Sequence, residues 1–470
     1  MTARYLFAGP SLPDAADLLA VDGITVLPPV AAGDLLALAP SRGDVIGIVD
    51  GYFRQTRAVR HKEILALLQD GVAVLGAASM GALRAAELDT FGMRGVGRVY
   101  RDYKQGVLTA DDEVALLHGS ADEGYRPVTE ALVNIRATLR LCVREGLLDE
   151  STADHLAATL ASRPYRLRSY PELIRLVRDG GASTATVEAI RDLCATRAVN
   201  LKRQDALRLV DEMRTLDDDR PDVGSSSVEP TVYLHRWQLG ARTIDTGDGP
   251  TPAMSILRIC QLFADDYPDF YQKLVFGYLV RECASECGTR PTETSLDGAL
   301  EHARHRDVIP DLPAARTADL SFLDMWLTPD ERAQRPLEHQ LGTFLVRSFQ
   351  LAPATPADGL ALDALRGRPI VPAAVTLVNA AKAVNDHAQK TASAFDIHTL
   401  SADRILTHLG ERWGAEPGTL ELHALDRGIG SRDVLVAAAR PYYLLARYNP
   451  DLMDLRLGRA DAPPAEPEPE

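Results

Sequence analysis

The residue of this sequence best placed to do chemistry is a serine at a predicted tight turn. Ser79 follows the apolar run 72–75 and the small residues 76–78, and it precedes the helix-forming run 82–88. At such a strand-to-helix bend the next backbone N–H groups are unpaired and lie at the positive end of the helix dipole. A serine at this position can attack a carbonyl while those N–H groups stabilise the oxyanion that forms.

Two other interpretations of this turn give Ser79 no catalytic role. Ser79 can be the N-cap of the following helix, a position that serine favours. The turn can also bind an anion, although it lacks the Gly-Lys-Ser/Thr ending of a P-loop and the complete dinucleotide fingerprint. Ala77 stands where the nucleophile-elbow pattern has glycine, so the sequence leaves nucleophile, cap and anion site open.

A serine nucleophile needs a general base, and two histidines of the same region could supply it. His61 is predicted at or near a helix N-terminus, where the dipole disfavours imidazolium and keeps the ring able to accept a proton. Asp50, at the end of the preceding strand, could orient that ring. His118 follows Asp112 and Glu113 on a predicted helix and forms the rival base with either acid. A packed or solvated histidine is the competing interpretation of His118.

Two cysteines and two histidines in the second half of the chain are spaced as metal ligands on a helix can be. Cys283 and Cys287 lie four residues apart on a predicted helix, which can support metal binding. No second cysteine pair is nearby, so buried thiols are the preferred interpretation. His302 and His305 are assigned to a solvated helix. We therefore predict no metal site.

The elements that must position these residues alternate between short strands and helices. Strands are predicted at 5–8, 24–27, 45–49 and 72–75, with a helix between each pair. This alternation predicts a mostly parallel, Rossmann-like sheet that is covered by helices on both faces. Sites in such folds form at the carboxyl ends of the strands. Asp50 and Ser79 lie at two of those ends.

The pattern changes after the α/β region. Residues 92–106 are predicted to be irregular, with residues 98–103 as an edge strand or a loop, and a helix is predicted to begin at residues 109–112. Residues 245–252 are predicted to be a loop. Helical periodicity dominates from about residue 128. The predicted domains are an α/β core at 1–125, a helical extension at 126–216, a linker at 217–230, a helical domain at 231–460 and a disordered tail at 461–470.

The composition of the 470-residue chain narrows the classes of function. The net charge of −15, from 66 acidic and 51 basic residues, disfavours binding along a nucleic-acid backbone. Five scattered cysteines without a C-x-x-C pair argue against a disulfide framework and predict a cytoplasmic location. The sequence contains no run of about 18 apolar residues. We expect a soluble protein without a membrane span and without a bound cofactor.

Several blocks between Tyr5 and Ser120 together resemble the core domain of the TfuA-like proteins. They occur in the order and at the spacing of that family, across about a quarter of the chain. The blocks are Gly9-Pro10-Ser11, Ile48-Val49-Asp50-Gly51-Tyr52-Phe53, His61-Lys62-Glu63-Ile64-Leu65, the run from Gly76 to Leu88, Phe91-Gly92-Met93 with Gly95-Val96-Gly97, Tyr103, Gly106, and Asp111-Asp112-Glu113-Val114-Ala115 with His118.

The resemblance implies a role in the thioamidation of peptide backbones during natural-product biosynthesis from ribosomal (RiPP) peptides. TfuA-like proteins work with ATP-dependent YcaO-type enzymes, which activate a backbone amide oxygen so that sulfur can replace it. The family's proposed task is to bind a small ubiquitin-like carrier that ends in a thiocarboxylate and to hydrolyse it, which releases sulfide. The expected partners are the YcaO-type enzyme and the sulfur carrier, with the precursor peptide as a further candidate.

Together, chemistry and position suggest roles for the residues around the turn. Ser79 would be the nucleophile, His61 the base oriented by Asp50, and the N–H groups of Met80 and Gly81 the oxyanion donors. His118 with Asp112 or Glu113 remains the rival base.

The slender tail of a carrier would need a channel walled by small residues, with a cation near the thiocarboxylate. The spacing of Arg84 and Glu87, however, is also that of a surface ion pair. The expected substrate-binding residues are Gly76, Ala77, Ala78, Met80, Gly81, Arg84 and Ser11. The alternative function is a non-catalytic adaptor that docks the carrier or peptide and activates the YcaO-type partner.

Overall fold

The chain forms two compact units, Met1–Leu234 and His235–Glu470. The computed structural model describes residues 2–52, 56–216, 231–247, 249–288, 296–310, 319–349, 357–391, 396–416 and 418–458. The predicted linker at 217–230 and the predicted tail at 461–470 lie outside the described residues. Within the described residues, every helix is too short or too polar to cross a bilayer.

The first unit contains a five-stranded parallel sheet, which confirms the predicted α/β fold. The strands are β1 (Arg4–Phe7), β2 (Ile24–Leu27), β3 (Val45–Ile48), β4 (Ala73–Ala77) and β5 (Arg94–Val96). Their spatial order is β2-β1-β3-β4-β5, and each neighbouring pair is parallel, with Tyr5 opposite both Thr25 and Ile46. The strand order reverses between β1 and β3. In open α/β sheets this switch point is where ligands bind.

Helices cover both faces of the sheet because the strands alternate their side chains between two cores. Val45 of β3 packs in the core on one face, whereas Ile46 and Ile48 pack in the core on the other. The helices that follow the strands are α1 (Ala15–Leu18), α2 (Asp34–Leu38), α3 (His61–Gln69), α4 (Met80–Leu88) and α5 (Gly97–Lys104).

Two predictions of local structure in this unit are wrong. Residues 92–106 are not irregular, because they contain β5 and α5. The strand has only three residues and the helix is rich in charged and aromatic side chains, so neither shows a clear apolar period. Residues 109–118 do not form a helix, and only the 3-10 turn Asp111–Glu113 is present. The carboxylates of Asp112 and Glu113 and the Val114 carbonyl bind cations from later in the chain instead of supporting helical hydrogen bonds.

Between residues 132 and 215 the first unit is mainly helical, as predicted. Its helices are α6 (Leu132–Arg144), α7 (Glu150–Ala161), α8 (Tyr170–Asp179), α9 (Thr184–Thr196) and α10 (Leu201–Thr215). The helices α6 to α9 share a core of their own. By contrast, α10 packs on the sheet, so closely that a Cβ on Gly47 would overlap the Met213 sulfur. The last helix of the predicted extension therefore completes the α/β core.

The second unit is largely helical around one extended core, which confirms the predicted helical C-terminal region. The predicted loop at 245–252 is wrong in part, because β6 (Thr243–Asp245) and β7 (Pro250–Pro252) pair as an antiparallel hairpin. The helices of its described segments are α11 (Val232–Ala241), α12 (Ala253–Phe263), α13 (Tyr267–Glu282), α14 (Leu296–His305), α15 (Pro329–Gln334), α16 (Leu337–Ser348), α17 (Ala357–Leu365), α18 (Ile370–Thr391), α19 (Ala402–Trp413), α20 (Leu420–Leu425), α21 (Arg432–Ala439) and α22 (Tyr443–Tyr448).

The glycine contact between α4 and the sheet yields a stability prediction. A Cβ on Gly81 would overlap the Ile48 carbonyl oxygen, and one on Gly76 would overlap the Gly81 carbonyl. We expect Gly81→Ala to lower the free energy of unfolding of the first unit by about 3 kcal/mol, because rigid backbone must move to admit the methyl group. Urea unfolding followed by far-ultraviolet circular dichroism measures the change.

The matched control is Gly180→Ala at the end of α8. Gly180 has an ordinary φ of −74°, and a Cβ there would make contacts of 3.4 Å or more. We expect this change to shift the free energy of unfolding by less than about 1 kcal/mol. Tryptophan fluorescence reports the second unit separately, because the three tryptophans all lie beyond residue 234. Equal effects of both substitutions would contradict the proposed contact.

Candidate functional site

A cavity of about 110 Å³ lies at the carboxyl ends of the strands in the first unit. One side is formed by the loops that follow β1 to β4, and the other by the stretch 111–118 together with side chains from later in the chain. The residues that line the cavity include Asp50, Ser79, Met80, His118 and Lys202. The cavity therefore lies where α/β sheets of this order bind ligands.

Asp50 is buried and joins the loops on either side of the switch point. Its Oδ2 accepts hydrogen bonds from the backbone N–H groups of Gly9 (3.0 Å) and Ser11 (2.9 Å). Its Oδ1 accepts a hydrogen bond from the Ser11 hydroxyl (2.6 Å) and lies 4.0 Å from the Lys202 ammonium. The hydroxyl of Ser11 is therefore engaged by Asp50, which differs from its predicted role in binding substrate. Asp50 also does not orient His61.

Lys202 is the cation that lines this cavity, and it is not among the site residues predicted from the sequence. It lies in the first turn of α10 and is fully buried, with Nζ donating to the Val114 carbonyl (2.8 Å). Burial lowers the pKa of Lys202, while the carboxylates of Asp50 and Glu130 oppose that shift. One signal was available, because only six of the 51 basic residues are lysine. A lysine can lose its proton when buried, whereas an arginine remains charged.

Ser79 follows β4 through a strained turn. Ala78 has a left-handed φ of +66°, which costs a non-glycine residue about 1 kcal/mol and often marks a functional site. Ser79 is 9% exposed and lines the cavity. It occupies the N-cap position of α4, but its side chain does not cap the helix. Among the described residues the Ser79 hydroxyl has no hydrogen-bond partner, so capping does not explain this serine.

The backbone around Ser79 only partly matches the predicted oxyanion site. The Gly81 N–H donates to the Val49 carbonyl (3.3 Å) and is therefore not available to a ligand. The Met80 N–H has no acceptor within the described part of the chain. The small residues predicted to wall a channel, Gly76, Ala77 and Ala78, are buried and do not line the cavity. Gly81, which lies in α4, is also buried outside the cavity, and its contact with Gly76 and the Ile48 carbonyl packs the helix closely on the sheet.

His118 lines the cavity opposite the strand ends. Its Nδ1 lies 2.7 Å from the Gly119 carbonyl oxygen. Because a carbonyl can only accept, Nδ1 carries the proton in the neutral ring, and Nε2 holds the lone pair that can accept another. The Tyr125 ring packs edge-on against the imidazole with centroids 5.8 Å apart. His118 therefore has the tautomer that a general base requires.

The acids predicted to assist His118 have other partners. Asp112 Oδ2 accepts a hydrogen bond from the buried guanidinium of Arg168 (2.7 Å). Glu113 forms a bidentate pair with Arg136 (2.9 and 3.1 Å). Asp112 and Glu113 therefore anchor the stretch that carries His118 and do not orient its ring.

His61 belongs to a cluster outside the cavity. Its Nε2 lies 2.8 Å from Glu87 Oε2, and the ring is half-exposed. Glu87 also accepts a hydrogen bond from Arg84 (2.7 Å), whose Nε donates to the Val59 carbonyl (3.2 Å). The predicted pairing of His61 with Asp50 is therefore wrong. Arg84 forms the ion pair that its spacing indicates and does not line the cavity.

The second unit also departs from the sequence prediction at its cysteines. The thiols of Cys283 and Cys287 do not lie apart from other ligands, because each is close to the imidazole of a histidine on α14. The pattern within each helix could not predict this contact, because it depends on how the two helices pack side by side.

The fold and the cavity define a class, namely α/β proteins with a cavity at the switch point of a parallel sheet. Residues 50–169 of the chain match the TfuA-like protein family. This match confirms the resemblance over 120 of the 470 residues and supports an accessory role associated with thioamidation, a process in which such proteins accompany YcaO-type partners. No curated protein matches the chain. The matched segment includes Asp50, Ser79 and His118, whereas Ser11 and Lys202 lie outside it.

The lowered pKa of Lys202 predicts how stability depends on pH. The folded chain releases this proton at lower pH than the unfolded chain, whose lysine titrates near 10.5. The contribution of Lys202 to stability therefore rises with pH up to about 10.5. We expect the free energy of unfolding of Lys202→Met, minus that of the wild type, to decrease from pH 7 to about pH 10. Urea unfolding at several pH values tests this, and a constant or growing difference would contradict it.

Proposed function

We propose that the cavity accepts the thiocarboxylate end of a small ubiquitin-like sulfur carrier and hydrolyses it, which makes sulfide available to a YcaO-type enzyme. The observation that best supports this proposal is that Ser79, His118 and Lys202 line one cavity. They provide a hydroxyl, a proton acceptor and a cation. Acyl transfer from an anionic substrate requires these three kinds of group.

The size and charge of the cavity suit the end of a peptide chain. The cavity has a volume of about 110 Å³, which is far too small for a folded protein. The carrier's terminal residue fits such a space, while its folded part stays outside. The negative charge of a thiocarboxylate makes its carbonyl a poor electrophile. The Lys202 ammonium and the N-terminus of α4 offset that charge.

The proposed reaction has two balanced steps. In the first, the Ser79 oxygen attacks the thiocarboxylate carbon, His118 Nε2 takes the hydroxyl proton, and the carbon–sulfur bond breaks. The proton passes to the departing sulfur, so the products are an ester on Ser79 and HS⁻. In the second step water hydrolyses the ester with His118 again acting as base. A carrier carboxylate, the free hydroxyl and one proton result.

The non-catalytic adaptor is the second candidate, and one observation favours it. No hydrogen bond joins Ser79 to His118 among the described residues, and a nucleophile and its base normally lie within hydrogen-bond reach. Such contacts are often looser without substrate. An adaptor would use the cavity only to hold the carrier tail and would show no turnover alone.

Substitution of the proposed nucleophile separates these functions. We expect Ser79→Ala to lower hydrolysis of a thiocarboxylated carrier by about 100-fold or more, because the acyl acceptor is removed. The assay mixes the full chain with the carrier in the absence of the YcaO-type enzyme and measures released sulfide and carrier carboxylate. Turnover that persists in Ser79→Ala would make water the nucleophile. Absence of turnover in the wild type would exclude the hydrolase and leave the adaptor.

The two histidines provide a matched pair of variants. We expect His118→Gln to reduce the rate of carrier hydrolysis about 100-fold, within the usual range for loss of a general base. His61→Gln should leave the rate close to that of the wild type, because His61 lies outside the cavity and pairs with Glu87. The same sulfide assay measures both. The reverse ranking would restore His61 as the base.

A further inference from the structure

A cluster of thiols and imidazoles lies in the second unit, far along the chain from the cavity. Cys283 and Cys287 are the first and last residues of a π-helical turn that continues α13. His302 and His305 lie one turn apart on α14. The described segments thus bring two cysteines from one helix against two histidines from the next.

The separations of the ligand atoms resemble those around a bound metal. Cys283 Sγ lies 3.5 Å from His305 Nδ1, and Cys287 Sγ lies 3.8 Å from His302 Nδ1. The ligand atoms of Cys283, Cys287 and His302 all lie within 4.8 Å of one another. Zinc–sulfur bonds of about 2.3 Å and zinc–nitrogen bonds of about 2.0–2.1 Å at tetrahedral angles place sulfur and nitrogen about 3.5 Å apart.

We propose that Cys283, Cys287 and His302 bind a zinc ion and that His305 completes a tetrahedral site. Two thiolates and two imidazoles form one of the standard structural zinc ligand sets, whereas magnesium and calcium prefer oxygen ligands. This site is independent of the proposed hydrolysis, because all four ligands belong to the second unit.

The local backbone explains how these residues share one metal. Side chains four residues apart on a helix face the same way, and so do side chains three residues apart. The π-helical turn is an uncommon conformation that often occurs at functional sites, and here it carries both cysteines. It ends at Gly288, whose φ of +72° is readily adopted by glycine.

Two of the four ligands are buried. Cys283 is fully buried and His302 is 7% exposed, whereas Cys287 is half-buried and His305 is exposed. Water therefore competes little for Cys283 and His302. The zinc ion links the end of α13 to α14 across the intervening chain. Because the unfolded chain does not hold the four ligands together, the free energy of zinc binding stabilises the folded unit.

The first experiment measures the metal content of the full chain. The protein is produced in zinc-supplemented medium, purified without chelator and analysed by inductively coupled plasma mass spectrometry. We expect about one zinc ion per chain, falling at least tenfold in the double variant Cys283→Ala/Cys287→Ala. The matched control is Cys194→Ala, because Cys194 is a buried helical cysteine in the first unit whose thiol pKa is raised to about 12 by burial. It should retain the metal.

The second experiment identifies the ligands without relying on a destabilising variant. Metal-free wild-type chain is titrated with Co²⁺, and thiolate-to-cobalt charge-transfer absorption is recorded. We expect saturation at one equivalent, with about half the intensity in Cys287→Ser, because one thiolate is lost. His302→Gln should weaken binding while retaining the thiolate absorption. Absence of this absorption in the wild type, or zinc retained by the double cysteine variant, would overturn the proposal.

Discussion

The buried carboxylate of Asp50 is the interaction on which the arrangement of the first unit's site depends. An ionised carboxylate costs several kcal/mol to remove from water, so its partners must be present together. Two backbone N–H groups and one hydroxyl from the loop after β1 donate to it, and the Lys202 ammonium lies 4.0 Å away. Each hydrogen bond to a charged group contributes about 1.5–3 kcal/mol. The loops after β1 and β3 and the start of α10 are thereby held at the switch point by one side chain.

Charged side chains likewise hold the loop that carries His118 in place. Three cations from the helical half of the first unit bind this loop: Arg136 holds Glu113, Arg168 holds Asp112, and Lys202 holds the Val114 carbonyl. Side chains from later in the chain therefore determine the position of His118, and of these three cations only Lys202 lies outside the segment that matches the family. These contacts also explain why the capping-box spacing at residues 109–112 does not lead into a helix. The acids that would have supported a helix are engaged by arginines from elsewhere in the chain.

The sequence predicts what depends on local pattern and fails where the outcome depends on packing. Short apolar runs were sufficient to predict the parallel sheet, and the same pattern located Asp50 and Ser79 at its carboxyl ends. The pair Arg84 and Glu87 was predictable because it lies within one helix. The partner of His61 was not, since Glu87 reaches it only through the packing of α4 beside α3. Lys202 and the thiol–imidazole cluster were missed for the same reason, because each requires elements distant in sequence to converge.

The hydrogen bonds around Ser79 determine which backbone donors are available to a ligand in the cavity. The Gly81 N–H is engaged by the Val49 carbonyl, which leaves the Met80 N–H as the backbone donor beside Ser79. Oxyanion sites commonly combine several donors, and the loss of a single donor already slows such reactions strongly. The Met80 N–H alone therefore stabilises an oxyanion only in part. Lys202 supplies the remaining positive charge, although its burial favours the neutral form. A bound anion favours the protonated lysine, so anion binding and protonation of Lys202 are coupled. A thiocarboxylate gains from this coupling, whereas a neutral ester or amide does not.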